Sequence, residues 1–285
     1  MNGNLRFGSL FGIPFFIIIS WFFVRCLTAL NFGGGLAAQF PWLGSSALVL
    51  GLAAGILLFV SVLLHELGHS FAAQQQGIRV NSITLFLFGG LASLDDEAKT
   101  PAGAFWIAIA GPLVSLALFF LLTLVANSGL VAGPAGAIIG LLAYINLILA
   151  SFNMIPGLPL DGGNVLKAVV WKFSGNRYRG IRWASRTGQF IGWSAIVLGV
   201  LAILGLSNVG SFWTLIIGWF ILLNAVQSAQ SATVQEALSG LTAADAVLEN
   251  SPVVSLGSTL RDFADMAIVL ADNSPWRRFL VTSPD

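Results

Sequence analysis

The two histidines of the chain stand four residues apart, within the segment His65-Glu66-Leu67-Gly68-His69. On a helix, positions i and i+4 lie one turn apart on the same face, so two imidazoles at this spacing can bind one metal ion. The glutamate beside the first histidine is placed to act as general base for a water molecule at that metal. The surrounding residues are strongly apolar, and ionisable groups inside a membrane span indicate function because charge is costly in hydrocarbon. The segment therefore predicts a metal site with hydrolytic chemistry.

A catalytic zinc ion usually has three protein ligands and a water, so a third ligand is needed. Besides Glu66, Asp161 is the acidic residue that borders the apolar spans without an obvious aqueous location. The acidic group at 95–97 falls in a loop, and the single cysteine, Cys26, lies far away in sequence. We therefore predict Asp161 as the third ligand, in a glycine-rich turn that lets the backbone approach the metal. The alternative is that Asp161 caps the helix that follows it.

Other polar and small positions in the spans have weaker signals. Asn153, eight residues before Asp161 at a helix break, is predicted to donate an amide N–H to an oxyanion or to the substrate backbone. A structural helix cap is the alternative for Asn153. Asn146 is predicted to make an interhelical hydrogen bond. Gly111 and Ser115 form a small-xxx-small pair, whose simplest role is the close packing of helices.

The composition is that of an integral membrane protein. Of the 285 residues, 56% are hydrophobic and 9% are charged, and the mean hydropathy is +0.88. A soluble domain usually carries about 25% charged residues. The 32 glycines suit close helix–helix approach in lipid. With one cysteine, neither an intrachain disulfide nor a metal site built on cysteines is possible.

The apolar segments predict a polytopic α-helical membrane protein with about six transmembrane helices. The candidate spans lie near 9–31, 46–75, 103–126, 135–155, 189–206 and 211–227. Between the second and third spans, the partial alternation from Ile78 to Leu94 predicts a short membrane-associated β-hairpin with Gly89-Gly90 as its turn. The hairpin can offer an edge strand to an extended substrate, or it can serve only in interfacial packing. The sequence leaves both roles open.

Lysine and arginine positions predict the orientation in the membrane. The segments after the second and fourth spans carry basic residues, whereas the linkers near 32–45, 127–134 and 207–210 carry none. The basic residues are Arg79, Lys99, Lys167, Lys172, Arg177, Arg179, Arg182 and Arg186. We therefore expect a multi-pass protein of the cell (inner) membrane with both termini in the cytoplasm. The metal-site residues then meet near the cytoplasmic side.

The composition changes from about Thr233, where acidic residues appear and the long apolar runs stop. This change predicts a membrane domain over 1–227, a linker over 228–240 and a cytosolic region over 241–285. About 45 residues are fewer than a self-sufficient core usually needs. The region therefore reads as the beginning of a domain, or as one completed by another copy.

Taken together, the motifs of the second to fourth spans resemble those of the site-2 protease family of intramembrane zinc metalloproteases. The resemblance rests on HELGH at 65–69, LFLFGGLA at 85–92, IAGPLVS at 109–115 and FNMIPGLPLDGG at 152–163. It implies a zinc endopeptidase with one Zn²⁺ per chain that hydrolyses a peptide bond in or near the membrane span of a single-span substrate. Such regulated intramembrane proteolysis can act on an anti-sigma factor. The ligands implied are His65, His69 and Asp161, with Glu66 as catalytic base and Asn153 as substrate or oxyanion contact.

The C-terminal region is similar to the start of a CBS domain, on the segment SPVVSLGSTLRDFADM and an expected helix–strand–helix–strand order. The chain ends before one module is complete, which we interpret as a truncated, partial CBS domain of the α/β class. CBS modules work in pairs and often bind adenine nucleotides. The resemblance therefore implies a homodimer through this region, and an adenine nucleotide only where the module is completed. No nucleic-acid partner is expected.

Two rival functions use the same residues. A metal-ion or proton-coupled transporter also needs intramembrane histidines and acids. Against it, the sequence has one compact site rather than a relay, and Glu66 has a hydrolytic role that transport does not require. A catalytically idle receptor that senses nucleotides through its tail is disfavoured because the catalytic set is intact.

Overall fold

A computed structural model describes residues 4–86, 89–239, 253–255, 257–271 and 280–282. The chain divides into two compact units, Met1–Thr233 and Val234–Asp285. The last helix of the membrane unit continues through most of the stretch 228–240, which the sequence assigned to a linker. The composition change at Thr233 therefore coincides with the boundary between the two units more closely than the end of the last predicted apolar span, at 227, does.

Seven helices form the membrane unit within the described residues. They are α1 (Ile19–Gln39), α2 (Ser46–Gln74), α3 (Pro101–Asn127), α4 (Gly133–Asn153), α5 (Asp161–Ser174), α6 (Arg177–Ile203) and α7 (Phe212–Leu238). Five of them, α2, α3, α4, α6 and α7, are long and apolar enough to cross a membrane. The chain is thus a multi-pass membrane protein, as predicted.

The second to sixth predicted spans fall on these five helices, but the first prediction, 9–31, is wrong over its first half. Residues 9–18 belong to two strands and the turn between them at 11–12, and α1 begins only at Ile19. The physical reason is that a run of bulky and β-branched apolar residues suits a buried strand as well as a helix. Helix α1 is 21 residues long but is interrupted in sequence by Arg25 and Asn31, which lower its hydropathy.

A four-stranded sheet lies beside the helices, where the sequence predicted only a hairpin. Its strands are β1 (Asn4–Leu10), β2 (Ile13–Ile18), β3 (Val80–Phe86) and β4 (Gly89–Leu94), in the order β1-β2-β3-β4. The outer pairs are antiparallel, and β2 pairs with β3 in parallel. The buried residues of the sheet pack on one face of α2, in a core cluster formed by Ile13, Phe15, Ile17, Ile83, Leu85, Phe59, Leu63 and Leu67. This contact fixes the sheet against the helix that carries the HELGH segment.

The prediction that Gly89-Gly90 forms the hairpin turn is also wrong. Both glycines belong to β4, where Gly89 pairs with Phe86 and Gly90 pairs with Leu85. Gly90 is needed in the strand because a Cβ there would collide with the side chain of Glu66. Two consecutive glycines often indicate a turn. Here they lie in a strand, and Gly90 lets the backbone of β4 approach the side chain of Glu66.

Helices α2 and α3 cross closely at the HELGH segment. A Cβ on Gly68 would lie 2.9 Å from both Ala110 O and Val114 Cγ2. The N-terminus of α3 is fixed by Thr100, whose side chain accepts a hydrogen bond from Gly103 N, and by Pro101 at the first helical position. These local signals explain why α3 begins where the sequence predicted.

The buried amide of Asn146 joins α4 to α2. Its Nδ2 donates to Ser61 Oγ at 3.1 Å and to Leu142 O at 2.8 Å. The prediction of an interhelical hydrogen bond is confirmed. The side chains of Asn146 and Ser61 are both buried in the apolar bundle, where burying a polar group without a hydrogen bond is unfavourable.

Charged residues join the loop before α3 to the connection between α5 and α6. Arg177 Nη2 lies 2.6 Å from Glu97 Oε2, with the glutamate side chain about half exposed. Burial lowers the pKa of the nearby Lys167 amine, and the Glu97 carboxylate opposes that shift. Since the ion pair is partly solvated, we assign it about 1 kcal/mol at most. It joins the loop before α3 to the first residue of α6.

In the second unit, the structure describes strand β5 (Val253–Ser255), helix α8 (Leu260–Ala271) and strand β6 (Leu280–Thr282). The two strands pair in parallel, with Val254 opposite Val281. Thr259 and Asp262 cap the start of α8 through reciprocal hydrogen bonds. The first helix expected for a CBS-like order, within 241–252, lies outside the described residues.

Candidate metal centre

Three side chains from two distant parts of the chain meet beside α3. His65 and His69 lie one turn apart near the C-terminal end of α2, and Asp161 is the first residue of α5. His65 Nε2 lies 3.2 Å from Asp161 Oδ2, and His69 Nε2 lies 3.3 Å from the same oxygen. The two Nε2 atoms are 3.3 Å apart. Within the described residues, these three are the group of His, Cys, Asp and Glu side chains that could hold a metal ion.

The three potential ligand atoms form a nearly equilateral triangle. Around a tetrahedral zinc ion with bonds of about 2.0–2.1 Å, neighbouring ligand atoms are about 3.3 Å apart. The observed edges of 3.2, 3.3 and 3.3 Å match that value. Two imidazole nitrogens and a carboxylate oxygen are also a donor set that catalytic zinc uses, and they leave a fourth position open. The residues present therefore fit a catalytic zinc ion.

The outer nitrogens of both imidazoles are bonded to α3. His65 Nδ1 lies 2.9 Å from Ser115 Oγ, and His69 Nδ1 lies 2.7 Å from the backbone carbonyl oxygen of Ile107. A metal-binding imidazole keeps its proton on the nitrogen that does not face the metal, and that N–H donates to an acceptor. The arrangement thus leaves both Nε2 lone pairs directed at the shared position.

Gly111 lies between these two contacts on α3, directly behind the imidazoles. A Cβ at this position would lie 2.7 Å from His65 Nε2 and would overlap His69 Nε2. Close helix packing, as predicted for the Gly111–Ser115 pair, is therefore only part of their role. The α3 backbone forms the wall against which the two rings are placed.

We expect Gly111→Ala to disturb the centre strongly. The added methyl group must displace one or both imidazoles, and a misplacement of about 1 Å can lower activity about a hundredfold. We expect zinc affinity, measured by competition with a chelator, to fall by at least about tenfold. The matched control is Gly140→Ala in α4, where a Cβ would meet nothing within 4 Å. Native zinc affinity in Gly111→Ala would show that the rings can shift without consequence.

The glycine-rich loop before α5 explains how Asp161 reaches the histidines. A Cβ on Gly162 would overlap the carbonyl oxygen of Met154, and one on Gly163 would overlap Gly157 and Leu158. The loop is folded tightly on the first turn of α5, and Leu158 N also donates to Ala184 O of α6 at 3.0 Å. Only residues without a side chain fit there, so the two glycines after Asp161 have a packing role.

Asp161 does not occupy the capping position of its helix. The N-cap residue of α5 is Leu160, which makes no side-chain cap. The Asp161 carboxylate, 18% exposed, is instead directed at the two imidazoles. Its place in the first turn also puts a negative charge at the positive end of the helix.

Glu66 lies beside the same centre, next to strand β4. Its carboxylate interacts electrostatically with all three potential ligands. Its side chain lies against Gly90 of β4, where a Cβ would overlap it. The edge of the sheet therefore touches the residue next to the metal position. Sequence reasoning missed this contact because the two glycines were assigned to a turn.

The other predicted site residue, Asn153, is the last residue of α4 and is half-buried. It is separated from the metal-site aspartate by the tight loop over 154–160. Its predicted contact with substrate or oxyanion stays a prediction. In contrast, sequence reasoning missed the hydrogen bonds that the outer nitrogens of His65 and His69 make to Ser115 Oγ and to the carbonyl oxygen of Ile107, both of which act as acceptors. The only available signal was the spacing of 107, 111 and 115 along one face of a helix.

The fold and the donor set together define a membrane-embedded metallohydrolase, and comparisons with known proteins give the class. The peptidase family M50 model matches residues 53–132 and 126–195. The chain is 55% identical over 286 residues to a Synechocystis sp. protein with the provisional name zinc metalloprotease sll0528, covering 100% of this chain and 75% of that protein. It is 30% identical to zinc metalloprotease MJ0392 of Methanocaldococcus jannaschii, covering 75% of this chain and 60% of that one.

Among solved structures, the site-2 protease from Methanocaldococcus jannaschii is similar, with a TM-score of 0.57 and 29% sequence identity. The likeness covers 79% of this chain and 95% of that one. The chain belongs to peptidase family M50, the site-2 proteases, and it is a zinc metalloprotease. The resemblance drawn from the sequence motifs is confirmed, and so is the expected Zn²⁺ cofactor.

Proposed function

We propose that this chain is an intramembrane endopeptidase in which His65, His69 and Asp161 bind zinc and Glu66 is the catalytic base. The observation that carries the proposal is the triangle of ligand atoms, with edges of 3.2, 3.3 and 3.3 Å, placed next to the Glu66 carboxylate. When bound, zinc polarises the scissile carbonyl and lowers the pKa of a coordinated water toward about 7.

The side chains then have separate tasks. Glu66 accepts a proton from the attacking water and later delivers it to the leaving amine, which a carboxylate beside the reacting atoms can do in both directions. Asn153 donates its amide N–H to the oxyanion or to the substrate backbone. The imidazoles and Asp161 keep their positions because α3 and the loop before α5 hold them.

The substrate is a single-span membrane protein that is locally unwound when it is cut. A helix hides its carbonyls in hydrogen bonds, so cleavage requires an extended segment. Strand β4 supports this step, because in the described sheet it is an outer strand paired only with β3. Its Gly90 amide lies at Glu66, so a substrate strand added to β4 comes next to the catalytic centre.

The centre lies on the cytoplasmic side in this proposal. The C-terminal end of α2, the N-terminal end of α3 and the start of α5 meet at the cluster, and the basic residues of α5 and α6 follow on the same side. The positive-inside rule assigns that side to the cytoplasm of the cell membrane. Both termini lie there when α1, which packs closely against α2 at Gly51, is counted as a sixth crossing helix. An anti-sigma factor is one example of such a substrate in this proposal.

The C-terminal region is proposed to be a CBS-like element that regulates the protease. The parallel β5-α8-β6 arrangement supports an α/β module of that kind. This proposal implies two partners. One is a second copy of the chain, bound through this region, and the other is an adenine nucleotide, bound only where the CBS module is completed.

The test is cleavage of single-span substrates by the purified chain in liposomes, together with zinc analysis. We expect about one zinc per chain, cleavage that stops when a chelator removes the zinc, and recovery when zinc is added back. The same liposomes, loaded with a zinc-sensitive dye, report transport. Zinc flux without cleavage of any substrate in the panel would support the transporter instead.

A further inference from the structure

We propose that Ser115 is a positioning residue of the zinc site, which orients His65 by accepting a hydrogen bond from its outer nitrogen. The inference rests on the proposed roles of His65 and His69 as ligands. It adds a residue that acts through His65 and does not touch the metal itself.

The geometry of the His65 ring leaves it no freedom. The residue is 3% exposed, its Nε2 faces Asp161 and His69, and its Nδ1 lies 2.9 Å from Ser115 Oγ. Zinc needs the lone pair of Nε2, so the proton must be on Nδ1, and Ser115 Oγ is the atom placed to accept it. The hydroxyl proton of a serine inside a helix can be donated to a carbonyl one turn earlier.

The two histidines differ in how they are held. The acceptor for His69 is the carbonyl oxygen of Ile107, a backbone atom that no single substitution removes. The acceptor for His65 is a side chain and can be deleted. Positions 107, 111 and 115 lie one turn apart on α3, and they run antiparallel to the two histidines, which lie one turn apart on α2.

Packing alone does not explain a serine at this position. Ser115 is 0% exposed, and burying a hydroxyl in an apolar bundle is unfavourable unless it is hydrogen-bonded. An alanine would permit the same close helix contact and is a better helix former. The hydroxyl is therefore explained by the bond to His65, which a smaller apolar residue cannot make.

The test measures metal binding by the full chain in detergent. We expect Ser115→Ala to raise the dissociation constant for zinc by about 10- to 100-fold, the usual effect of removing a partner of a ligand. The spectrum of the cobalt-substituted variant should change as well, because His65 is less firmly oriented. Ser115→Thr keeps the oxygen and is expected to bind zinc within about threefold of the native chain.

The matched control is Ser185→Ala. Ser185 is also 0% exposed, and its hydroxyl has no hydrogen-bond partner among the described residues. We expect native zinc affinity in this control. Native affinity in Ser115→Ala, equal losses in both alanine variants, or a threonine variant as weak as Ser115→Ala would each overturn the inference. If the native chain itself bound no zinc, the proposed function would fail instead.

Discussion

Glu66→Gln is expected to abolish cleavage and to leave the zinc in place. Glutamine has nearly the same shape, so it keeps the close contact of this side chain with Gly90 of β4, and its side-chain oxygen remains a hydrogen-bond acceptor. It cannot take up and return a proton, and removing a general base lowers turnover by about 10²- to 10⁴-fold. The measurement is zinc per chain together with the initial rate of cleavage of a single-span substrate.

The matched control for this variant is Glu97→Gln. Glu97 also carries a carboxylate, but it pairs with Arg177 and is about half exposed, outside the metal centre. We expect its cleavage rate to stay within about threefold of the native rate, since partly solvated ion pairs contribute little. Turnover near the native rate in Glu66→Gln would exclude Glu66 as the base. Loss of zinc together with cleavage would assign it a structural role.

The same variant separates the protease from the rival transporter. A metal-ion transporter that is not coupled to protons requires only ligands that bind and release a cation, so its flux would not depend on a proton acceptor next to those ligands. Glu66→Gln would then retain its zinc flux. If the protein is a protease, Glu66→Gln loses cleavage while its zinc content stays unchanged.

The parts of the fold that the sequence predicts well are those set by bilayer thickness. The predicted spans 46–75, 103–126 and 135–155 differ by at most two residues at each end from α2, α3 and α4. Long apolar runs of this kind can only be helices in lipid. Their starts are marked locally, by Pro101 as the first residue of α3 and by Gly133-Pro134 as the first two residues of α4.

The sheet could not be predicted because its pairing is not local. Strand β2 pairs in parallel with β3, with Phe15 opposite Ile83, across more than sixty residues of chain. Gly12 and Pro14 mark the turn between the two strands, but the apolar run that follows suits the start of a span as well as a strand. The pairing with β3 determines that this segment is a strand. That pairing exists only in the folded protein, where the sheet packs on α2.

The candidate ligands of the metal centre could be predicted from residue types. The residues of α3 that hold those ligands in place could not. An HExxH segment and a single acid among apolar spans are rare enough to stand out. Gly111, Ser115 and the carbonyl of Ile107 do not stand out, because small residues in a span usually serve close packing. Their role depends on which face of α3 meets α2, and that follows only from the crossing of the helices at Gly68.

Asp161→Asn is expected to lose zinc while it keeps helix α5 intact. An amide oxygen is uncharged and a much poorer zinc ligand than a carboxylate, whereas asparagine caps helices as well as aspartate does. If Asp161 is a ligand, the dissociation constant for zinc rises by at least about a hundredfold, more than the loss of a supporting residue causes. If it were a cap, the asparagine variant would bind zinc normally.

Measuring the helix separately makes the two roles distinguishable. Hydrogen exchange of the 161–174 segment reports whether α5 is still formed, and we expect native protection in the asparagine variant. The control is Asp95→Asn, which changes a carboxylate that accepts a hydrogen bond from Asn81 away from the centre. Because Asp161 Oδ2 forms two of the three edges of the ligand triangle, only its loss should leave the two histidines with too few ligands for zinc. Unchanged zinc affinity in Asp161→Asn, with α5 intact, would contradict the ligand assignment.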